Sequence, residues 1–141
     1  MKVLANDGLA KSGIAALGLN GFEVDLTSVA QDQLVNYINT NNIVVLLVRS
    51  ATKVRKDIID NCPSLKIIGR GGVGMDNIDV EYAREKGLKV INTPAASSHS
   101  VAELVFAHLF GMVRFLHDSN RNMPLEGDVK FNTLKKSYAK G

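Results

Sequence analysis

Ile43-Val44-Val45-Leu46-Leu47-Val48 is a run of six apolar residues, rich in β-branched side chains. No polar residue interrupts it, so neither face of a strand made from it can meet water. A strand covered on both faces belongs in a parallel sheet, whose crossover helices lie over the sheet. Parallel strands need a long connection between them, so the flanking chain should alternate strand with helix.

It does so in both directions. Towards the N terminus, Gln31 to Ile38 places Leu34, Val35 and Ile38 on one helical face. Phe22-Glu23-Val24-Asp25-Leu26 alternates apolar with acidic residues, the period of a half-exposed strand at a sheet edge. Leu9 to Leu17 has helical spacing and a glycine stop at Gly18 or Gly21. Val3-Leu4-Ala5, ended by the turn signal Asn6-Asp7-Gly8, is the first strand. Towards the C terminus, a helix follows Arg49 to Val54, runs to about Asn61 and is stopped by Pro63. Leu65-Lys66-Ile67-Ile68 is the fourth strand and Val80 to Lys86 a helix closed by Gly87. Leu88-Lys89-Val90-Ile91 is the fifth strand, ending at Asn92-Thr93-Pro94. The expected fold is α/β: a flavodoxin-like five-stranded parallel sheet, order 2-1-3-4-5, with helices on both faces. That order puts the half-exposed second strand at an edge.

Ligands of such sheets lie beyond the carboxyl ends of the strands. Three polar groups fall there: Arg49-Ser50, Arg70 to Asn77, and Asn92 to Ser100. The middle one holds Arg70-Gly71-Gly72-Val73-Gly74-Met75-Asp76-Asn77. Three glycines in four positions let a backbone approach a ligand closely, and free amides beside an arginine suit an anion. The same glycines would also serve a tight strand-to-helix turn that binds nothing.

Ala95-Ala96-Ser97-Ser98-His99 has the composition of a hinge, which sets the expected domain boundary at 97/98. Ser100 and Glu103 have capping-box spacing and would open a helix from Ser100 to Leu116. Val101, Leu104, Val105, Phe106, Leu109, Phe110, Met112, Val113, Phe115 and Leu116 cover nearly its whole circumference. A helix apolar all round needs cover all round. The expectation is a second domain or subunit over it, most simply a symmetric homo-oligomer through residues 100–116. From Asn120 to Gly141 the pattern fades into an extended or partly ordered arm.

Composition bounds the rest. At 45% hydrophobic and 22% charged, 141 residues make an ordinary globular protein of one-domain size. Residues 114–141 hold six basic and three acidic residues, which is the whole net charge of +3. A neutral body with a mildly basic tail gives no footprint for nucleic acid. No apolar run reaches the ~20 residues that span a bilayer, so no membrane partner is expected. Met1-Lys2-Val3 leads directly into a strand, which argues against a leader peptide and for a cytoplasmic protein. The one cysteine, Cys62, should be a buried structural thiol, and no Cys/His spacing suits a metal.

Val48 to Val54, Gly69 to Asp79, Asn92-Thr93-Pro94 and Ser100 to Leu104 together resemble the N-terminal part of the NAD-dependent D-2-hydroxyacid dehydrogenases. The first segment is most similar to the D-3-phosphoglycerate dehydrogenase branch. The resemblance spans the whole chain. It implies oxidation of D-3-phosphoglycerate to 3-phosphohydroxypyruvate, the first step of serine biosynthesis, with NAD as cofactor in the full-length enzyme. It implies that Arg49, Ser50 and Arg70 face a small phosphorylated hydroxy acid. Amides around Gly72, Val73 and Gly74 would hold its carboxylate, Val73 would approach the cofactor, and Asp76 and Asn77 would fix the loop. It also places the GxGxxG dinucleotide fingerprint and the catalytic arginine, glutamate and histidine beyond Gly141. The chain then reads as residues 1–97 of substrate domain plus residues 98–141 beginning a nucleotide domain, inactive by itself. Gly71-Gly72-Val73-Gly74 has the wrong spacing for that fingerprint. His99, His108 and His117 do not match the catalytic histidine of the family.

Two other readings stand beside this one. The substrate could be another D-2-hydroxyacid, glyoxylate or hydroxypyruvate. Alternatively the domain is a free-standing flavodoxin-like binding module. A receiver-type pocket would want an aspartate after the third strand, where this chain has Arg49-Ser50.

Overall fold

The computed structural model describes residues 1–122. The chain divides into two compact units, Met1–Ala96 and Ser97–Gly141.

The first unit is the expected sheet. Strands β1 (Lys2–Ala5), β2 (Glu23–Asp25), β3 (Val45–Val48), β4 (Ile67–Arg70) and β5 (Lys89–Asn92) are all parallel, in the order β2-β1-β3-β4-β5. The strand of alternating acidic residues is an edge strand, as its period requires. Helices α1 (Lys11–Leu19), α2 (Leu34–Asn41), α3 (Lys56–Asn61) and α4 (Val80–Glu85) connect the strands. Of the two glycine stops proposed for α1, Gly21 takes the left-handed conformation at φ 77°, and Gly18 stays inside the helix. A residue with a Cβ would be strained at Gly21.

The larger core cluster gathers on one face, and Val3, Ala5 and Val45 are buried on the other. Leu4, Leu46, Val48, Ile68 and Val90 meet Leu34 and Ile38 of α2, Ile58 and Ile59 of α3, and Ala83 of α4. Cys62 belongs to this cluster, and burial pushes its thiol up to about 11, with the Asp57 charge adding to the shift. It is the buried structural thiol that its context suggested. The opposite face carries the register row Ala5, Leu47, Gly69, Ile91. There α1 has no buried residue, and Ile91 is 45% exposed. The apolar run from Ile43 to Val48 is therefore buried except at Val44 and Leu47, which are half-buried. Leu47 is left partly open because it lines a cleft rather than packing under a helix.

The second unit departs from the sequence reading at both ends of its long helix. Helix α5 spans Ser98–Val113, and Ser97 is its N-cap with no side-chain capping bond. The expected box at Ser100 and Glu103 does not form, because Val101 N–H already bonds the Ser97 carbonyl at 2.9 Å and the helix runs through Ser100. At the other end Phe115 adopts φ 52° and breaks the helix. Leu116–Asn122 then forms a separate helix α6, so Asn120 to Asn122 are helical rather than extended. The remainder of the expected arm lies outside the described residues. None of the described helices is long and apolar enough to cross a membrane.

The uneven burial of the two faces at β4 and β5 gives a stability contrast. Ile68→Ala, at a fully buried position, should cost about 2–5 kcal/mol. Ile91→Ala, on the open face, should cost less than about 1 kcal/mol. Urea midpoints of the two variants measure the difference, and equal losses would mean that both faces carry the fold.

Candidate functional site

The carboxyl ends of β1, β3, β4 and β5 enclose a cleft of about 630 Å³. Leu9, Ala10, Leu47, Val48 and Ile91 supply apolar walls, and Asp7, Arg49, Arg70, Asn92 and Thr93 supply polar ones. Arg70 is paired in register with Val48 on one side and Asn92 on the other. Arg49, the residue after Val48, therefore leaves the sheet beside Arg70.

Two buried polar side chains fasten the loops that carry these arginines. Asn77, only 6% exposed, donates from Nδ2 to the Arg49 carbonyl at 2.9 Å and to the Thr52 carbonyl at 2.7 Å. Its Oδ1 accepts from Arg70 Nε at 3.1 Å. Asn6 donates to Thr52 Oγ1 at 2.8 Å and to the Val29 carbonyl at 3.1 Å, and accepts from Val29 N–H at 2.8 Å. Asp7 completes the set. One carboxylate oxygen accepts from Arg49 N–H at 2.6 Å and Thr52 N–H at 3.2 Å, the other from the Thr52 hydroxyl at 2.5 Å. A parallel bridge between Val54 and Ile78 joins the same two loops farther out.

The charges divide into those used by the fold and those left over. Arg55 is taken up by Asp79 at 2.8 Å and by the Asp76 carbonyl at 2.9 Å. Among the described residues, the Arg49 side chain has neither a hydrogen bond nor an ion pair, and Arg70 has only its Nε bond to Asn77. The glycine loop is arranged in the same sense. Its carbonyls are engaged from β5: Thr93 N–H donates to Gly72 O at 3.1 Å and Asn92 Nδ2 to Val73 O at 2.7 Å. The Val73 and Gly74 amides have no partner among the described residues. An arrangement with two unpaired guanidinium groups and two free amides can bind an anion.

Of the residues singled out by sequence, Arg49 and Arg70 line one cleft. Gly72, Val73 and Gly74 follow Arg70 in the exposed loop, and Ser50 is exposed outside the cleft walls. Asn77 fixes the loop as expected, while Asp76 contributes its carbonyl to Arg55. Asp7 was missed: in the sequence it reads as part of a turn signal. Its one available signal was its place at the end of β1, on the same rim as the arginines. No described residues group as a metal site. The described residues also lack a strand, GxGxxG turn and long helix in succession, so they do not fit a dinucleotide.

Asp7 makes the site sensitive to acid. Burial alone would push its carboxyl up, but the Thr52 hydroxyl and the amides of Arg49, Thr52 and Ala51 outweigh this and hold it below the ordinary 3.8. The unfolded chain therefore takes up this proton first. The stabilisation is complete above about pH 5 and is lost as pH falls through 4 and on through the folded value. Asp7→Asn should cost roughly 1–3 kcal/mol at neutral pH. It should also flatten the fall in urea midpoint between about pH 5 and pH 3. An unchanged acid limb in the variant would assign the pH dependence to other carboxylates.

Comparison with known proteins follows the same lines. A family model described as D-isomer specific 2-hydroxyacid dehydrogenase, catalytic domain, matches residues 3–136. A hydroxypyruvate reductase of Thermotoga maritima is 46% identical over 117 residues, covering 82% of this chain and 37% of that protein. A D-3-phosphoglycerate dehydrogenase of Methanocaldococcus jannaschii is 44% identical over 114 residues, covering 81% and 21%. Among solved structures, an acyclic imino acid reductase in complex with NADPH and D-Arg superposes with a TM-score of 0.74 at 26% identity, over 88% of this chain and 41% of that one. The chain thus spans between about a fifth and two fifths of these relatives. With the sheet order, the cleft at its carboxyl edge and a family match over nearly its whole length, the chain belongs to the D-isomer specific 2-hydroxyacid dehydrogenases.

Proposed function

We propose that this cleft is the substrate half of a D-2-hydroxyacid dehydrogenase site and that its substrate is D-3-phosphoglycerate. The observation that carries the proposal is the pair of arginines, Arg49 and Arg70, at the ends of adjacent strands and without ion-pair partners among the described residues. A phosphorylated hydroxy acid has two anionic ends, one for the guanidinium groups and one for the Val73 and Gly74 amides. In the whole protein the C2 hydride would pass to a nicotinamide, with NAD as the proposed acceptor, and the C2 hydroxyl proton to a general base such as the catalytic histidine that the resemblance implies, leaving 3-phosphohydroxypyruvate. Of the described residues this reading sets Val73 towards that cofactor, and the part of the others is to bind and orient the acid. Serine biosynthesis in the cytoplasm is the setting this reading implies.

A second reading is favoured by the 46% identity to a hydroxypyruvate reductase. Hydroxypyruvate lacks the phosphate, so the two readings differ in what the arginines are for. Titrating the chain by calorimetry with D-3-phosphoglycerate, D-glycerate and inorganic phosphate separates them. Tighter binding of D-3-phosphoglycerate than of D-glycerate supports the first. Arg49→Ala and Arg70→Ala should each then weaken D-3-phosphoglycerate by roughly tenfold or more, the worth of a charge-assisted contact. Equal affinities in all three proteins would remove the arginines from the site.

The proposal extends to a homo-oligomer. No residue of α5 is buried, although Val101, Leu104, Phe106 and Phe110 run along it and the Phe106 and Phe110 rings stack at 6.2 Å. Burying each such side chain is worth ~1.5–3 kcal/mol. A second copy of the helix, related by a two-fold axis, offers the same apolar surface in return. Light scattering over a concentration series should show a dimer, and Phe106→Asp should shift it to monomer. A monomer at every concentration would overturn the pairing.

A further inference from the structure

We propose that Gly72 and Asn77 form a seat that aims the Arg70 guanidinium, making both positioning residues for the anion. This rests on the reading of Arg70 as an anion ligand given above. Asn77 takes the Nε–H edge at 3.1 Å, which leaves the terminal nitrogens for a ligand. Its carboxamide cannot turn over, because Nδ2 is committed to two carbonyls, those of Arg49 and Thr52.

Gly72 supplies the other half. A Cβ built on Gly72 would overlap Arg70 Nη1 and lie 3.1 Å from Cζ and 3.7 Å from Nη2. The guanidinium therefore occupies the space that a Cβ at position 72 would take, and the two could not be there together. The neighbouring glycines do not have this role. A Cβ on Gly71 would meet Arg49 Cγ at 3.6 Å and the Val48 carbonyl at 3.9 Å, both ordinary contacts. A Cβ on Gly74 would meet Asp76 Oδ1 at 3.1 Å and nothing of Arg70.

The loop at Gly72 has little room to retreat. Its carbonyl is held by Thr93 N–H and the next one by Asn92 Nδ2. A methyl group at 72 would press on the guanidinium, the far end of a flexible side chain, and would also strain the backbone, since Gly72 holds φ 159°. The first effect moves Arg70, and the second lowers stability without touching the guanidinium.

The test is the Nε–H cross-peak of Arg70 in the 15N-labelled chain. In the wild type this proton, held by Asn77, should exchange slowly with water. Gly72→Ala should bring it to the rate of an unbound arginine, and Gly71→Ala should leave it in place. D-3-phosphoglycerate should bind Gly72→Ala roughly tenfold more weakly, and adding Arg70→Ala should weaken it no further. An unmoved cross-peak in folded Gly72→Ala overturns the seat, as do additive losses in the double variant. Where strain at φ 159° keeps Gly72→Ala from folding, the wild-type cross-peak decides: exchange at the rate of an unbound arginine overturns the seat, and slow exchange supports it. A displaced cross-peak with undiminished D-3-phosphoglycerate binding keeps the seat and overturns the functional reading of Arg70.

Discussion

A parallel sheet delivers the ends of all its strands, and the loops that leave them, to one edge. The first amides and carbonyls of those loops have run out of strand to bond to, and buried ones must find partners. Here the partners are side chains on other loops. Asp7, just after β1, accepts the amides of the loop after β3. Asn77, in the loop after β4, donates to the carbonyls of that same loop. Asn6 bonds Val29 in the connection from β2. Four connections are thereby tied into one rim, and no buried side-chain polar atom among the described residues lacks a partner. The placement of Arg49 and Arg70 depends on this lashing, since each stands at the boundary of the sheet.

The same network explains how a carboxylate can sit in a cleft with two arginines without cancelling them. The oxygens of Asp7 are turned to Arg49 N–H, Thr52 N–H and the Thr52 hydroxyl. Its charge stabilises loop amides and forms no ion pair with the guanidinium groups. Arg55 shows the contrasting case. Paired with Asp79 and bonded to a carbonyl of the glycine loop, it is a structural arginine. Three arginines within 22 residues thus have separate fates, decided by which has a carboxylate within reach.

These distinctions mark where sequence reading ends. Strand order, edge strand and buried thiol were legible because burial has a period and composition that a single segment carries. Arg49 and Arg70 were legible as rim residues because the strand ends place them. Their relation to Asn77 was not, because it is a contact between loops whose shape no local pattern encodes. Asp7 was hidden for a related reason: Asn-Asp-Gly is a turn signal whatever the aspartate later accepts. The capping box at Ser100 failed in the opposite direction. The spacing was right, but Ser98 and His99 continue the helix, so the hydroxyl at 100 falls inside the first turn rather than before it.

The open face of the sheet follows from how stability is distributed. Leu46, Val48 and Ile68 bury their side chains with α2, α3 and α4, while on the other face Val3, Ala5 and Val45 are buried and Ile91 stays open. On that other face β4 has Gly69, where a Cβ would come within 2.7 Å of Leu47 Cδ2. A larger residue would force Leu47 aside into the space that the cleft occupies. A glycine mid-strand weakens local packing and adds conformational freedom to the unfolded chain. The buried cluster around Ile68, on the opposite face, can offset that loss. The cleft floor is thus shaped by a residue chosen against strand stability, directly before the arginine that the rim holds in place.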